Sequence, residues 1–243
     1  MRYIDIQPLL LNKESWGNSD ELWKNAILKK DFREYFHNKC WYTEVSLAGS
    51  DIDIDHFRPK AAVKQYKGYN YNELLRTRGY YWLKNDPANY RGSCTYANRP
   101  RGKGGKRDRF PLKDGSPLLS EGSAVIEQAL LLDPCERHDV NLVAYMGNMI
   151  HCATKDPYDN ERVQVSCELY NWDDAFIKGE RKKVWEDVNK TIEEYKSREI
   201  SKTACIRRLK DAVSREAPFS ACAISCVRSL ADEEIIQELD LEL

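Results

Sequence analysis

The sequence comprises 243 residues, of which 42% are hydrophobic and 32% are charged, a composition typical of one or two folded domains and not of a disordered chain. The 38 lysine and arginine residues balance the 39 aspartate and glutamate residues, which excludes a global attraction to nucleic acid and leaves only a local patch for such binding. No segment has the roughly 18–20 consecutive apolar residues of a membrane helix, and the first residues lack the apolar part of a signal peptide. We therefore expect a cytoplasmic protein with no membrane partner.

Hydrophobic spacing predicts short elements in the first half of the chain. Apolar side chains recur at helical spacing over 21–36, after candidate N-caps at 18–19, which predicts a helix. Strict alternation over 51–57 predicts a strand that Pro59 stops. A second, short helix is predicted over 94–98.

The second half of the chain is predicted to be mainly helical after a small sheet. Short strands are predicted around 130–134 and within 141–150, with a turn at Gly147 and Asn148. The predicted helices run from Asn171 to about Arg198, from Ser201 to about Arg215, and onwards from about Phe219.

Residues 231–243 combine six acidic residues with five large aliphatic side chains and contain no basic residue. Two interpretations are open. In one, the aliphatic side chains fill a groove on a partner while the acids steer the segment to a basic surface. In the other, the segment packs as the last part of the protein's own helical region.

Four polar residues have the side-chain types of a one-metal phosphodiesterase site: Asp55 and His56 at a strand end, Asn89, and Asn98. A neutral imidazole can take the proton of an attacking water, which suits His56 as a general base. Oxygen ligands suit a hard divalent cation, so Asp55 and Asn98 are its candidate ligands. Because neighbouring strand residues point to opposite faces, Asp55 and His56 can serve one phosphate only where the strand ends. The alternative is that His56 is an ordinary structural histidine.

A glycine-rich loop over 99–109 is strongly basic, with six lysine and arginine residues against one acid. Its position directly after Asn98 favours contacts with a phosphate backbone, although such runs are often only solvated loops. The predicted nucleic-acid contacts are Arg58, Lys60, Arg99, Arg101, Lys103, Lys106 and Arg107.

A series of short motifs occurs in a fixed order: Asp55-His56-Phe57-Arg58-Pro59-Lys60, Tyr81-Trp82-Leu83, Asn89, Cys94 with Asn98, Phe110-Pro111-Leu112, Leu130-Leu131-Leu132-Asp133-Pro134-Cys135 and Ala217-Pro218-Phe219-Ser220. In this order they resemble the HNH endonuclease superfamily. The resemblance is closest to the Septu-type (PtuB-like) antiphage nucleases, which also occur as effectors in some retron systems. It covers about 30 to 230.

The resemblance implies an α+β fold with a ββα-metal (HNH) finger embedded in a mainly helical domain. The finger would occupy 39–115, after an N-terminal helical segment over 1–38 and before a small sheet and helical region over 116–243. It also implies hydrolysis of DNA or RNA in a bacterial antiphage defence system, together with an SMC/ABC-like ATPase partner.

The resemblance also assigns roles to the four site residues. His56 would be the general base, and Asn89 would fix the loop that holds it. Asp55 and Asn98 would bind Mg²⁺ or Mn²⁺.

The zinc ligands of the family are incomplete in this sequence. The two Cys-x-x-Cys pairs that usually hold zinc correspond to Cys40-Trp41-Tyr42-Thr43 and Cys94-Thr95-Tyr96-Ala97, so only Cys40 and Cys94 remain. Two thiolates leave a tetrahedral zinc under-ligated, which argues against a structural zinc unless another residue such as His37 joins.

Two functions therefore compete. One is a metal-dependent endonuclease, and the other is a degenerate HNH module that binds nucleic acid or the ATPase without cutting. The missing zinc cysteines argue for the degenerate module, whereas the joint presence of the four site residues favours the nuclease. A DNA-repair or restriction nuclease is a third possibility.

Overall fold

The computed structural model describes residues 1–67, 70–76, 78–102 and 104–241 and combines helices with short antiparallel strand pairs. The strands are β1 (Asp53–His56), β2 (Val63–Lys67), β3 (Asn70–Arg76), β4 (Tyr90–Ser93), β5 (Val143–Met146) and β6 (Met149–Cys152). The helices are α1 (Gln7–Leu10), α2 (Ala26–Tyr35), α3 (Thr95–Asn98), α4 (Arg137–Asn141), α5 (Pro157–Leu169), α6 (Ala175–Lys196), α7 (Lys202–Val213), α8 (Ser220–Leu230) and α9 (Glu233–Leu239). In the described part of the chain, no helix combines the length and apolar character that crossing a bilayer requires.

Strands β1 and β4 and helix α3 form the part of the fold that carries the candidate site. The two strands are antiparallel, with Asp53 opposite Ser93 and His56 opposite Tyr90. Residues 57–89 separate them in sequence and contain the hairpin of β2 and β3. Helix α3 follows β4 directly, so two strands and a helix succeed one another in the order that the resemblance implies. Their assignment as a metal finger stays a prediction.

Helix α2 packs on β4 through aromatic side chains. Phe32 stacks on Trp41 with 5.2 Å between ring centroids, and Nε1 of Trp41 donates to the carbonyl of Phe32 at 3.2 Å. Gly92 permits this approach, because a Cβ at this position would lie 2.7 Å from Nε1 of Trp41. The N-terminal part of the chain is thereby held against the strands of the candidate site.

The structure shortens the helix predicted over 21–36 to α2. The side chain of Asn25 caps α2 by accepting a hydrogen bond from the amide of Leu28 at 3.0 Å. A 3₁₀ turn over Leu22–Lys24 comes before this cap, so the caps expected at 18–19 do not begin the helix. The strand predicted over 51–57 is also shorter, since β1 has four residues.

The strand predicted around 130–134 is wrong, because these residues pair with no strand in the described chain. Side chains from α5 and the residue after it satisfy the backbone of Leu132, whereas the amide of Leu130 and the carbonyl of Pro134 bond to the backbone of Pro111 and Ile4. The hydroxyl of Ser166 accepts from the amide of Leu132, and the hydroxyl of Tyr170 donates to the carbonyl of Leu132, both at 2.8 Å. These bonds take the place of a strand ladder.

Sequence patterns predict the helices and strands more accurately nearer the C-terminus. The hairpin predicted within 141–150 is confirmed as β5 and β6. The helix predicted from Ser201 is confirmed as α7, since the Ser201 side chain caps it. The long helix begins later than predicted, because Asp174 and not Asn171 accepts the first capping bond.

The buried side chains form two cores. The first takes residues from Met1 to Cys222 and so includes all three predicted segments, which means that their boundaries do not separate independent cores. The second core lies between the end of α6 and helices α7, α8 and α9. Ile235 and Leu239 of the acidic segment are only 1% and 6% exposed within it. This packing favours the interpretation that 231–243 completes the protein's own helical region.

Candidate active site

A cavity of about 330 Å³ lies beside the end of β1. The predicted site residues that line it are Asp55, His56, Lys60, Asn98 and Arg107. His56 is the last residue of β1, and the chain bends directly after it. The strand end therefore lets two neighbouring side chains border one space, as the sequence pattern requires.

His56 is held as a neutral imidazole in one tautomer. Its Nε2 lies 2.9 Å from the carbonyl oxygen of Lys84. A carbonyl can only accept, so Nε2 carries the proton and Nδ1 keeps the free lone pair. Burial, followed by the charge of Lys60, lowers the pKa of His56 to about 3. The ring is thus neutral at physiological pH and has one nitrogen able to take a proton.

Two aromatic rings pack against this imidazole. Trp23 and Tyr90 each lie 5.0 Å from it between centroids, at interplanar angles of 71° and 74°. The hydroxyl of Tyr90 also donates to the carbonyl of Lys84 at 2.6 Å. Groups from three segments therefore set the orientation of His56. Nothing in the local sequence indicated these contacts, because they form only when the segments come together.

Asp55 is buried in an ion pair with Lys106. The ammonium nitrogen of Lys106 lies 2.9 Å from Oδ2 of Asp55 and 3.2 Å from Oδ1, and it donates to the carbonyl of His56 at 2.7 Å. The hydroxyl of Tyr42 donates to Oδ2 of Asp55 at 2.6 Å. Burial raises the pKa of Asp55 and lowers the pKa of Lys106, while their mutual attraction opposes both shifts.

This placement corrects one predicted role. Lys106 is expected from the sequence to contact nucleic acid, but its side chain is fully buried. A buried ammonium needs a compensating charge, and Asp55 supplies it. Lys106 therefore supports Asp55 from inside the protein and is not part of the basic surface.

Asp53 orients Asn98. Its Oδ2 accepts from Nδ2 of Asn98 at 3.1 Å, and its two oxygens also accept from the guanidinium of Arg99 at 3.0 and 2.9 Å. Because the amide nitrogen of Asn98 is directed to Asp53, the amide oxygen remains for a cation. Asp53 and Asp55 are two residues apart in β1 and lie on one face of the strand, so the alternation in the sequence contained a signal for Asp53 that the motif did not use.

Asn89 fixes the chain that follows β1. Its Oδ1 accepts from the amide of Arg58 at 2.8 Å, and its Nδ2 donates to the carbonyl of Arg58 at 2.9 Å. Its own backbone carbonyl accepts from the amide of Phe57 at 2.8 Å. Asn89 is buried and does not line the cavity, so it acts through backbone position and not through contact with a reacting group.

Two further predicted nucleic-acid contacts have partners within the protein. Arg58 donates from Nε to the buried carboxylate of Glu127 at 3.0 Å, and this bond fixes the half-buried side chain of Arg58. The guanidinium of Arg101 lies 4.2 Å from the ring centroid of Tyr96 and 3.4 Å from the carboxylate of Asp174. Arg101 is nevertheless exposed, so it remains on the surface of the basic loop.

The remaining predicted contacts differ in their positions. The ammonium of Lys60 lies 4.1 Å over the ring of Trp23 beside the cavity, and burial lowers its pKa. Arg107 is exposed at the rim of the cavity, and Arg99 is exposed while it binds Asp53. Lys103 lies outside the described residues.

The donor set at the cavity fits a hard cation that takes few protein ligands. Asp55, with a carboxylate, and Asn98, with an amide oxygen, both line this cavity, and the Asp55 carboxylate already accepts from Lys106 and Tyr42. Mg²⁺ usually keeps several waters and needs only one or two carboxylates in addition to substrate phosphates. Over the described ranges, no group of three or more histidine, cysteine, aspartate and glutamate side chains is arranged to hold a metal ion.

The positions that correspond to the family's zinc ligands also come together. The hydroxyl oxygen of Thr43 lies 3.8 Å from Sγ of Cys94. Burial acts to raise the pKa of Cys40, but hydrogen bonds from Cys94 and Thr43 outweigh it and lower that pKa. A hydroxyl and the methyl group of Ala97 stand where two thiolates are needed, so these residues do not fit a tetrahedral zinc.

Comparison with known proteins gives one distant relative. No protein-family model matches the chain. The chain is 25% identical over 168 residues to Septu protein PtuA of Bacillus mycoides (strain KBAB4), and the match covers 67% of this chain but only 21% of that protein. The similarity is therefore to about a fifth of the length of a Septu protein. It concerns PtuA, whereas the sequence motifs resemble PtuB-like nucleases, so it does not establish the HNH assignment.

Proposed function

We propose that the protein is a metal-dependent HNH endonuclease that cleaves nucleic acid as the effector of a Septu-type antiphage system. One observation carries the proposal: a neutral histidine with a fixed tautomer lines the same cavity as Asp55 and Asn98. A general base beside a cation site is what hydrolysis of a phosphodiester requires.

In this proposal, Nδ1 of His56 takes the proton of the water that attacks phosphorus. The bond from Nε2 to the carbonyl of Lys84 keeps Nδ1 unprotonated and fixes the ring. A pKa of about 3 makes the free protein's imidazole a weak base. The negative charge of a bound phosphate acts to raise that pKa, and the charge of the bound cation acts to lower it.

The other residues hold charge and position. A bound Mg²⁺ or Mn²⁺, held by Asp55 and Asn98, would stabilise the negative charge that develops on the phosphate oxygens. Lys106 and Tyr42 keep the Asp55 carboxylate in place. Arg107, at the rim of the cavity, supplies positive charge for the phosphate backbone.

The partners follow from the same proposal. DNA is the favoured substrate on the family resemblance, and RNA is the alternative. The groups at the cavity would engage a phosphate, which both contain. The proposal of an SMC/ABC-like ATPase partner rests on the family resemblance. The distant similarity to PtuA supports the proposed defence role.

The test is cleavage of plasmid DNA, linear DNA and RNA with Mg²⁺ or Mn²⁺, by the protein alone and with an ATPase encoded beside it. We expect His56→Ala to lower the cleavage rate by about 10²–10⁴-fold, the usual contribution of a general base. Asn98→Ala should raise the metal concentration needed for half-maximal cleavage. His138→Ala, at an exposed histidine on α4, is the matched control and should cleave normally. Equal cleavage by His56→Ala and the unchanged protein would refute the proposal.

A second candidate function is a module that binds nucleic acid without cutting it. The observation that favours it is the ion pair of Lys106 with Asp55, which neutralises the carboxylate before any cation arrives. This function predicts no cleavage under any of the above conditions, together with nucleic-acid binding that His56→Ala leaves unchanged. Metal-dependent cleavage that requires His56 excludes it.

A further inference from the structure

A second cavity, of about 630 Å³, is also lined by residues of the basic loop. Arg101, Gly102 and Gly104 of that loop line it, whereas Arg107 of the same loop lines the candidate active site. The amide of Gly105 donates to the carbonyl of Leu169 at 2.9 Å, which anchors the loop to the end of α5. The loop therefore contributes residues to both cavities, and the two lining sets share no residue.

A polar stripe of α5 also lines the cavity. Asn160, Gln164 and Glu168 are spaced by four residues, so they lie on one face of the helix, and all three line the cavity. Within the described chain, the side chains of Gln164 and Glu168 have neither a hydrogen bond nor an ion pair. Among the described residues, no other group uses their hydrogen-bonding capacity.

The charges of the lining decide which part of a nucleic acid can enter. Glu168, Asp173 and Asp174 line the cavity. Asp174 lies 3.4 Å from the guanidinium of Arg101, and Asp173 lies 3.6 Å from the ammonium of Lys178 and 3.9 Å from the guanidinium of Arg181. Among the described residues only the carboxylate of Glu168 has no cationic partner, and this uncompensated charge disfavours a phosphate beside it. It suits a neutral group that presents N–H donors, and the volume lies in the range of small-molecule sites.

We propose that this cavity binds a nucleobase with an amino group, and guanine in preference to the others, from the strand whose backbone follows the basic loop. Adjacent N–H groups on the Watson–Crick edge of guanine can donate two parallel bonds to the carboxylate of Glu168, whereas uracil has a single donor there. The base must be unstacked to enter, which favours single-stranded or distorted substrates. The inference rests on the proposed function and gives it a base preference beside the cut site.

Nucleosides test the inference without any phosphate chemistry. Guanosine, adenosine, cytidine and uridine are titrated into the full-length protein, and binding is followed by saturation-transfer NMR and calorimetry. We expect guanosine to bind roughly tenfold to a hundredfold more tightly than uridine, the usual range for discrimination by a paired base contact. Glu168→Gln should lose that preference. Glu161→Gln, at an exposed position on the same helix, should keep it.

The outcomes separate this inference from the proposed nuclease. Failure of all four nucleosides to bind at about 10 mM, equal affinity for guanosine and uridine, or an unchanged preference in Glu168→Gln would each overturn the base site. His56→Ala should bind guanosine as the unchanged protein does, because the two cavities are separate. Guanosine binding without cleavage would leave the base site standing and refute only the nuclease.

Discussion

The ammonium nitrogen of Lys106 lies 2.9 Å from Oδ2 of Asp55, and the side chains of the two residues are 0% and 3% exposed. They are 51 positions apart in the sequence, so the pair joins the basic loop to the strand that carries the candidate base. A buried pair of this kind is costly to break, because removing one partner leaves the other charge uncompensated.

Lys106→Met should therefore lower the free energy of unfolding by about 3–5 kcal/mol, measured by urea denaturation. Lys210→Met, at an exposed lysine of α7, is the control and should change it by less than about 0.5 kcal/mol. Combining Lys106→Met with Asp55→Asn should recover part of the loss, since no unpaired charge then remains. A Lys106→Met protein as stable as the control would contradict the buried pair.

The pKa of His56 predicts a pH dependence of stability. The pKa is about 3 in the folded protein and about 6.5 in an unfolded chain, so the unfolded state takes up a proton first as the pH falls. The contribution of His56 to the free energy of unfolding is fully present above pH 6.5. It is lost as the pH falls from about 6.5 to about 3, at up to about 1.4 kcal/mol per pH unit. His56→Gln removes this component. Urea denaturation at several pH values should show a shallower loss for His56→Gln, and parallel curves would show that His56 is not buried as a neutral ring.

Arg107 should contribute one phosphate contact. It is exposed at the rim of the cavity, whereas Lys106 beside it is buried. Arg107→Gln should reduce the slope of log affinity against log salt concentration by about 0.9 for duplex DNA, because one fewer counterion is released. The control is Arg207→Gln, at an exposed arginine of α7 that does not line the cavity. It removes the same charge and should leave the slope unchanged. Equal slopes in the two variants would place the DNA elsewhere.

The incomplete cysteine set predicts how a zinc site could be restored. The hydroxyl oxygen of Thr43 lies 3.8 Å from Sγ of Cys94, and hydrogen bonding with these two residues lowers the pKa of Cys40. Cys40 and Cys94 are both free thiols. Thr43→Cys combined with Ala97→Cys should therefore bind zinc and raise the melting temperature when zinc is added, since four thiolates complete a tetrahedral set. The two single variants are the controls and should bind far less. Stoichiometric zinc in the unchanged protein, found by elemental analysis, would contradict the prediction and point to a further ligand such as His37.

Several local features could be predicted from the sequence because their causes are local. Ser201 caps α7 three residues before the amide it bonds, and the turn at Gly147 and Asn148 joins two short strands. The pattern also placed Asp55, His56 and Asn98 in one site, which the shared cavity matches geometrically. It misplaced the start of α2, because Asn25, immediately before the helix, caps it in place of residues 18–19.

The sequence by itself determined the residue types at the site and their spacing along β1, β4 and α3. Tertiary structure decided what each of those residues can do. The tautomer of His56 depends on the carbonyl of Lys84, and the role of Lys106 depends on Asp55. The physical reason is that burial and hydrogen bonds between distant segments set charge and protonation, whereas local propensity sets only where helices and strands begin and end.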